Sequence, residues 1–194
     1  FVIQHHLESP EGATAVLLAF DAYLRISEVT GLVPSDVASG KGDPRMPALY
    51  RKTALRLRHT KTGKNQFVSV GRKEVEALLL RRVERVSPGT KLFPSAARLR
   101  SLFKRALHAM GVDHLDFVFH SLRHGAATTD MLLGRSLDFV LMRGRWAAAK
   151  SARHYIQAGR AQLLATRVPL RLADLGRRLG QDIGFYFSLR SLTL

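Results

Sequence analysis

Apolar groups at Ala13, Val16, Leu17, Phe20 and Leu24 recur at three- and four-residue spacing through EGATAVLLAFDAYL (11–24). That spacing predicts a helix with one buried face. GLVPSDV follows as a turn, with Pro34 stopping any helix, and ASGKGDPRMP (38–47) reads as a loop rich in Gly and Pro. The period then drops to two. In ALRLRHTKTGKNQFVSV (54–70), Leu55 and Leu57 alternate with Arg56 and Arg58, and Phe67 to Val70 return after a turn near Gly63, so the stretch predicts a β-hairpin. Helical spacing resumes in RKEVEALLLRRVERV (72–86), closed by Ser87-Pro88-Gly89. It continues in SAARLRSLFKRALHAMG (95–111), with Ser95 as N-cap and Gly111 as stop. Residues 120–134 predict a buried helix ending near Gly134, SLDFVLMRG (136–144) a short helix, and SARHYIQAGRAQLLA (151–165) a further one. The fold class this implies is mainly α with a small antiparallel β-sheet inserted early, an α+β domain.

Composition narrows the function. The 194 residues suit one domain of ordinary size, and a hydrophobic fraction of 46% can supply its core, which excludes global disorder. Lys and Arg total 31 against 15 Asp and Glu, a net charge of +16. A folded domain with that imbalance repels itself unless it meets an anion, and nucleic acid is the commonest such partner. A ribosomal or merely solubilising charge is the bland alternative. Arg outnumbers Lys 23 to 8, which favours bidentate phosphate contacts over point charges. The absence of cysteine excludes disulfides, thiolate zinc sites and a cysteine nucleophile. No apolar run is long enough for a membrane-spanning helix, and the start FVIQHHLESP lacks the basic and apolar segments of a secretory signal. The partner expected is therefore nucleic acid, and no membrane. The expected place is the cytoplasm of a prokaryote or the nucleus of a eukaryote, without secretion. The first residue is Phe rather than Met, so a missing N-terminal part is expected.

Candidate chemistry concentrates in VFHSLRHGAATTD (118–130), which holds His120, Arg123 and His124. The two histidines stand at i, i+4 and share a face if the segment is helical. A metal site of that spacing usually carries a glutamate between the histidines, whereas here Arg123 would repel a dication. No metal and no other cofactor is expected. A basic helix start on the surface is the plain alternative. Spacing adds weight: Trp146, in GRW, lies 23 residues after Arg123, and Tyr155, in SARHYI, lies 9 after Trp146. Upstream, LRISEVTGL places Arg25 and Glu28 at i, i+3 just after the first apolar helix, and HTKTG places Lys61 on the hairpin.

This set of residues, in this order, resembles the catalytic domain of the tyrosine recombinases, the phage-integrase family, over about residues 11–160. The family pattern is R-x-x-E, a hairpin lysine, H-x-x-R, a His or Trp after a Gly, and then a tyrosine. The resemblance implies the tyrosine-recombinase catalytic fold, with Arg25 as first catalytic arginine and Glu28 as its acidic supporter. It makes Lys61 the hairpin lysine, His120 and Arg123 the histidine and second arginine, Trp146 the His-or-Trp residue and Tyr155 the nucleophile. His124 matches a position commonly basic in the family. It reads as a helper contacting backbone or phosphate, with a plain surface histidine as the alternative. Lys64 shares the hairpin and is the alternative to Lys61. Arg58, Lys64, Lys150 and Arg153 are the further DNA-binding candidates, the last two flanking DNA or solvent.

The residue types fit the chemistry. A tyrosine can attack a DNA phosphorus and hold one strand end as an ester, but a phenol needs help to lose its proton at neutral pH. Negative charge spreads over the non-bridging oxygens in the transition state, where two planar guanidinium forks suit it, and one such donor contributes about 3–4 kcal/mol. A lysine on a hairpin tip can protonate the leaving 5′ oxygen, an imidazole can exchange protons with the phenol or phosphate, and an indole N–H can donate to a phosphate oxygen.

The resemblance implies strand cleavage and rejoining through a 3′-phosphotyrosyl link by a homotetramer on double-stranded DNA, with no small-molecule substrate, in integration or excision of a mobile element. A type IB topoisomerase-like nicking-closing enzyme and a DNA-binding relic without chemistry are the alternatives. Residues 1–160 are expected to form the catalytic domain, without the N-terminal helical clamp domain usual in the family. Residues 161–194 form a tail that docks on a neighbouring protomer or packs on itself.

Overall fold

The computed structural model describes residues 1–40, 46–47, 51–61 and 63–188, with the Ser188 side chain excepted. The expected loop at 38–47 lies in part outside them, as does the end of the apolar tail beyond residue 188. Helices α1 (Pro10–Asp21), α2 (Ile26–Gly31), α3 (Lys73–Glu84), α4 (Ala96–Ala109), α5 (Ser121–Leu132) and α6 (Leu137–Gly144) surround a small sheet. Helices α7 (Ala149–Arg153), α8 (Ala158–Ala165), α9 (Leu170–Gln181) and α10 (Ile183–Ser188) follow. The sheet has three antiparallel strands in the order β1 (Val37–Ala38), β2 (Ala54–Thr60) and β3 (Gly63–Ser69).

The alternation in the hairpin sets its two faces. Leu55 pairs with Val68, and these two with Leu57 turn inward onto Leu18, Ala19, Val29, Val75, Leu79 and Leu99. Each leucine fully buried in this way contributes about 1.5–3 kcal/mol. Arg56 and Arg58 point the other way and both reach Asp36, at 3.2 and 2.7 Å. Burial raises the Asp36 pKa, but hydrogen bonds from Arg58, the Val33 N–H and Arg56 outweigh it and hold the carboxyl below its usual range. The expected caps are present: Ser95 Oγ accepts the Arg98 N–H at 3.3 Å, and Gly111 and Gly134 take the left-handed backbone that ends a helix.

Three elements differ from the sequence expectation. The first helix ends at Asp21, not near Leu24, because Tyr23 turns into the left-handed region (φ 52°) and releases Arg25 to cap a separate helix, α2. The N-terminal Val2–His6 coils into a π-helical turn whose Ile3 packs on Ala13, Leu102 and Ala106. The helix expected over 151–165 is two helices, α7 and α8, with Tyr155 on the turn between them. Thr128 of α5 fixes that turn: its hydroxyl donates to the Tyr155 carbonyl at 3.0 Å and accepts the Gln157 N–H at 3.2 Å. Beyond it, Leu164, Val168 and Leu172 pack on Leu107, Val112 and Leu115 of the same chain. His5 contacts the Tyr186 carbonyl at 3.2 Å.

Candidate active site

The site starts from a buried carboxylate. Arg25 is the N-cap of α2, and Glu28 is the third residue of that helix. This places the Glu28 side chain to accept the Arg25 N–H on Oε2 and Arg25 Nη1 on Oε1, both at 2.8 Å. The Glu28 side chain is 1% exposed and that of Arg25 19%, so the guanidinium keeps one edge open while the carboxylate is enclosed. A second cation arrives from the end of α6. Arg145 Nη2 donates to Glu28 Oε2 at 2.7 Å. Spacing gave no sign of this contact. The one sequence signal was an arginine directly before Trp146, and its partner lies 117 residues upstream.

Arg123 lies in the first turn of α5 and is fully buried. Its Nη1 donates to the Tyr23 carbonyl and its Nη2 to the Gly144 carbonyl. Both carbonyls sit where a helix has just ended or is ending and have lost their helical partners, so a cation there satisfies orphaned acceptors. The Arg123 Cζ lies 4.6 Å from the Trp146 ring centre and 5.6 Å from that of Tyr155. Burial first, and then the charges of Arg25 and Arg145, pull its pKa down to about 10. The structure thus brings Arg123 into the cluster, but as a floor beneath the aromatic rings and not as the outward phosphate fork expected from sequence.

Four rings gather above that floor. The Tyr155 phenol stacks on His124 with 4.3 Å between centroids, meets Trp146 at 4.8 Å and meets His120 edge-on at 5.6 Å. His120 and His124 face one another at 5.2 Å, as the i, i+4 spacing required. Burial, helped by the Arg123 and Arg25 charges, lowers the His120 pKa. Burial, helped by His120 and Arg160, lowers that of His124. Both imidazoles therefore favour the neutral form, the one able to accept a proton. The tyrosines are now distinguishable. Tyr23 is 1% exposed and donates to Asp130 at 2.6 Å, and burial and that bond raise its pKa, which keeps it a phenol. Tyr155 is half-buried at the mouth of the cluster.

The remaining candidates stand apart. Lys61 is exposed at the end of the hairpin, and Lys64 is exposed opposite His59 on β3, so the choice between them stays open. Arg58 is held by Asp36 and by the Ser35 hydroxyl at 3.0 Å. Lys150 and Arg153 are exposed on α7. Among the described residues no contact joins these five side chains to the ring cluster. No three of the described His, Asp and Glu side chains are grouped as a metal ion would need. A cavity of about 350 Å³ opens beside the histidines, between His120, His124 and Thr128 on one side and Gln157, Arg160 and Leu164 on the other.

The family model for the phage integrase family matches residues 5–161. The chain belongs to that family. The match runs from the N-terminal turn into α8, so this phage integrase family member carries every residue of the cluster inside it. No curated protein matches the chain by sequence. Among solved structures, a XerA recombinase superposes with a TM-score of 0.62 at 15% identity, covering 87% of this chain and 62% of that one. A Tn1549 transposon integrase in complex with circular-intermediate DNA gives 0.60 at 16%, covering 83% of this chain and 60% of that one. At such identities the likeness is one of fold, and it places this integrase-family chain in the tyrosine-recombinase catalytic fold. The chain spans about three fifths of the length of those structures.

Proposed function

We propose that this domain cleaves and rejoins DNA strands through a covalent phosphotyrosyl intermediate, in site-specific recombination. The observation that carries the reading is the Tyr155 phenol held between two neutral-favouring histidines and Trp146, beside a guanidinium group in excess. Arg25, Arg123 and Arg145 converge where Glu28 is the carboxylate they share or approach, and an anion from outside would complete the balance. A phosphodiester has that charge, and the net charge of +16 would draw DNA to the surface.

In this reading the Tyr155 oxygen forms a bond to phosphorus while His120 or His124 takes its proton. The bond from phosphorus to the 5′ oxygen breaks, and Lys61, or Lys64 in its place, protonates the leaving oxygen. Arg25 and the Trp146 N–H hold the non-bridging oxygens. A 5′-hydroxyl of a partner strand then attacks the phosphotyrosine and releases the phenol. Arg58, Lys150 and Arg153 contribute backbone attraction. Exchange between two duplexes needs paired active sites, which a homotetramer on DNA supplies. The similar structures, a XerA recombinase and a Tn1549 transposon integrase in complex with circular-intermediate DNA, support the same class.

The test is an end-labelled duplex with a nick beside varied scissile positions, quenched in SDS. Label migrating with protein in the parent and absent in Tyr155→Phe supports the reading. Transfer of that label to an added 5′-hydroxyl strand marks recombination, and resealing on the original strand alone marks nicking-closing. Salt-sensitive binding with no adduct at any sequence, with Tyr155→Phe and the parent alike, would discard the chemistry and leave a binding domain.

A further inference from the structure

We infer that Arg145 is a positioning residue of the strand-cleavage site, acting through Glu28 to fix the guanidinium of Arg25; the inference rests on the function proposed above. Glu28 is the only described carboxylate in contact with Arg25, and its two oxygens are divided between partners. Oε1 takes Arg25 Nη1, while Oε2 takes the Arg25 N–H and Arg145 Nη2. With Arg145 in place the carboxylate is pinned at both oxygens by charged donors, and its plane is fixed. Such charge-assisted bonds are about twice as strong as neutral ones. Without Arg145, Oε2 keeps only the neutral Arg25 N–H, so the carboxylate plane, and the Arg25 guanidinium with it, is held less firmly.

The position of Arg145 in the chain gives this clamp a second consequence. Arg145 precedes Trp146, whose ring meets Tyr155 at 4.8 Å. The contact from Arg145 to Glu28 therefore ties the α6 end, which carries the nucleophile's packing partner, to α2, which carries the phosphate-binding arginine. The backbone supports a role beyond structure. Arg145 closes α6 in the left-handed region, at φ 56° and ψ 42°, where glycine is the favoured residue. A side chain there strains the backbone, as glycine would not. What the guanidinium gains is the Glu28 contact, together with long approaches of 3.4–3.5 Å to the Ala22 and Tyr23 carbonyls. Its side chain is 7% exposed, so it has little surface to offer DNA directly.

The backbone strain makes the test clean. Arg145→Gly relieves the left-handed residue while deleting the clamp, so the fold should hold. Single-turnover adduct formation at saturating nicked duplex should fall by about a hundredfold, the cost of misplacing a reacting group by an ångström. DNA affinity should stay within about twofold, and Arg145→Lys, which keeps one charged donor, should recover part of the rate. In a Glu28→Gln background, Arg145→Gly should add nothing further, because both changes break one clamp. An independent reading comes from the ¹⁵N–¹H spectrum of Arg25. Its guanidinium nitrogens should be resolved in the parent and averaged by rotation in Arg145→Gly. If the parent forms no adduct, the function reading fails and the spectrum alone decides this inference. An Arg25 spectrum unchanged by Arg145→Gly, or losses that simply multiply with those of Glu28→Gln, would overturn it.

Discussion

The imidazole of His124 lies nearly parallel to the phenol of Tyr155, 23° between planes and 4.3 Å between centroids. The contact uses the ring, not the hydroxyl. Tyr155→Phe therefore keeps the stack, and the expected result is unchanged stability and DNA affinity with complete loss of SDS-resistant adduct. Tyr155→Ala loses the ring as well, so it should also lower Tm. A Tyr155→Phe protein that still forms adduct would move the nucleophile elsewhere.

Arg123 makes a different demand. Removing it leaves the buried Gly144 carbonyl without its donor and the Tyr23 carbonyl with only the 3.5 Å approach of Arg145, and an orphaned buried group costs about 1–3 kcal/mol. Arg123→Ala should thus lose stability in urea unfolding as well as activity. Arg153→Ala, exposed on α7, should shift stability by no more than about 0.5 kcal/mol. Equal unfolding midpoints for the two variants would contradict the burial of Arg123.

Both histidines of the cluster have pKa values lowered from 6.5, chiefly by burial. The folded state then binds fewer protons than the unfolded state in the window just below 6.5. Stability rises with pH through that window, is fully present above it, and is lost as pH falls through the folded values. Tm should drop on acidification from about pH 7.5 to about pH 5. A His120→Gln, His124→Gln double variant should show a shallower drop over the same range. The exposed side of His120 keeps the effect modest, and an identical slope in parent and variant would remove the histidines as its source.

Local rules made much of this legible. Ser95 caps α4 as its place before the first apolar turn suggests, and the leucines of the hairpin alternate into the core. Order and spacing also located the members of the ring cluster. What stayed hidden is what depends on contacts distant in sequence. The apolar spacing runs unbroken across residues 151–165, so nothing local marks the break at Tyr155; Thr128, on another helix, makes it. An arginine in a helix reads as surface, and only the carbonyls left by Tyr23 and Gly144 explain why Arg123 turns inward. Nothing local in the sequence distinguishes Arg145 from the other basic residues, because its partner Glu28 lies 117 residues upstream. β1 pairs through two residues, too few for any period to show.

The chain contains a single tryptophan, and its ring lies against Gly144. A Cβ built on Gly144 would overlap the Trp146 six-membered ring, so Gly144→Ala cannot be accommodated unless the indole moves. The direction of movement is constrained. Arg123 lies beneath the ring, Tyr23 is 6.1 Å away on one side and Tyr155 4.8 Å away on another. Displacement outward takes the indole off Arg123 and into water. Gly144→Ala should then shift the emission of Trp146 to longer wavelength, read with excitation that selects the single indole over the tyrosines. It should also slow adduct formation by removing both the packing of Tyr155 and the indole N–H from the phosphate. A Trp146→Phe variant, which keeps a smaller ring in contact with Tyr155 but lacks the N–H, separates the two effects. If the N–H matters, Trp146→Phe slows cleavage while DNA binding is unchanged. If packing alone matters, Trp146→Phe cleaves like the parent while Gly144→Ala remains slow. Gly144→Ala with parental emission would mean that the backbone at the end of α6 yields in place of the ring.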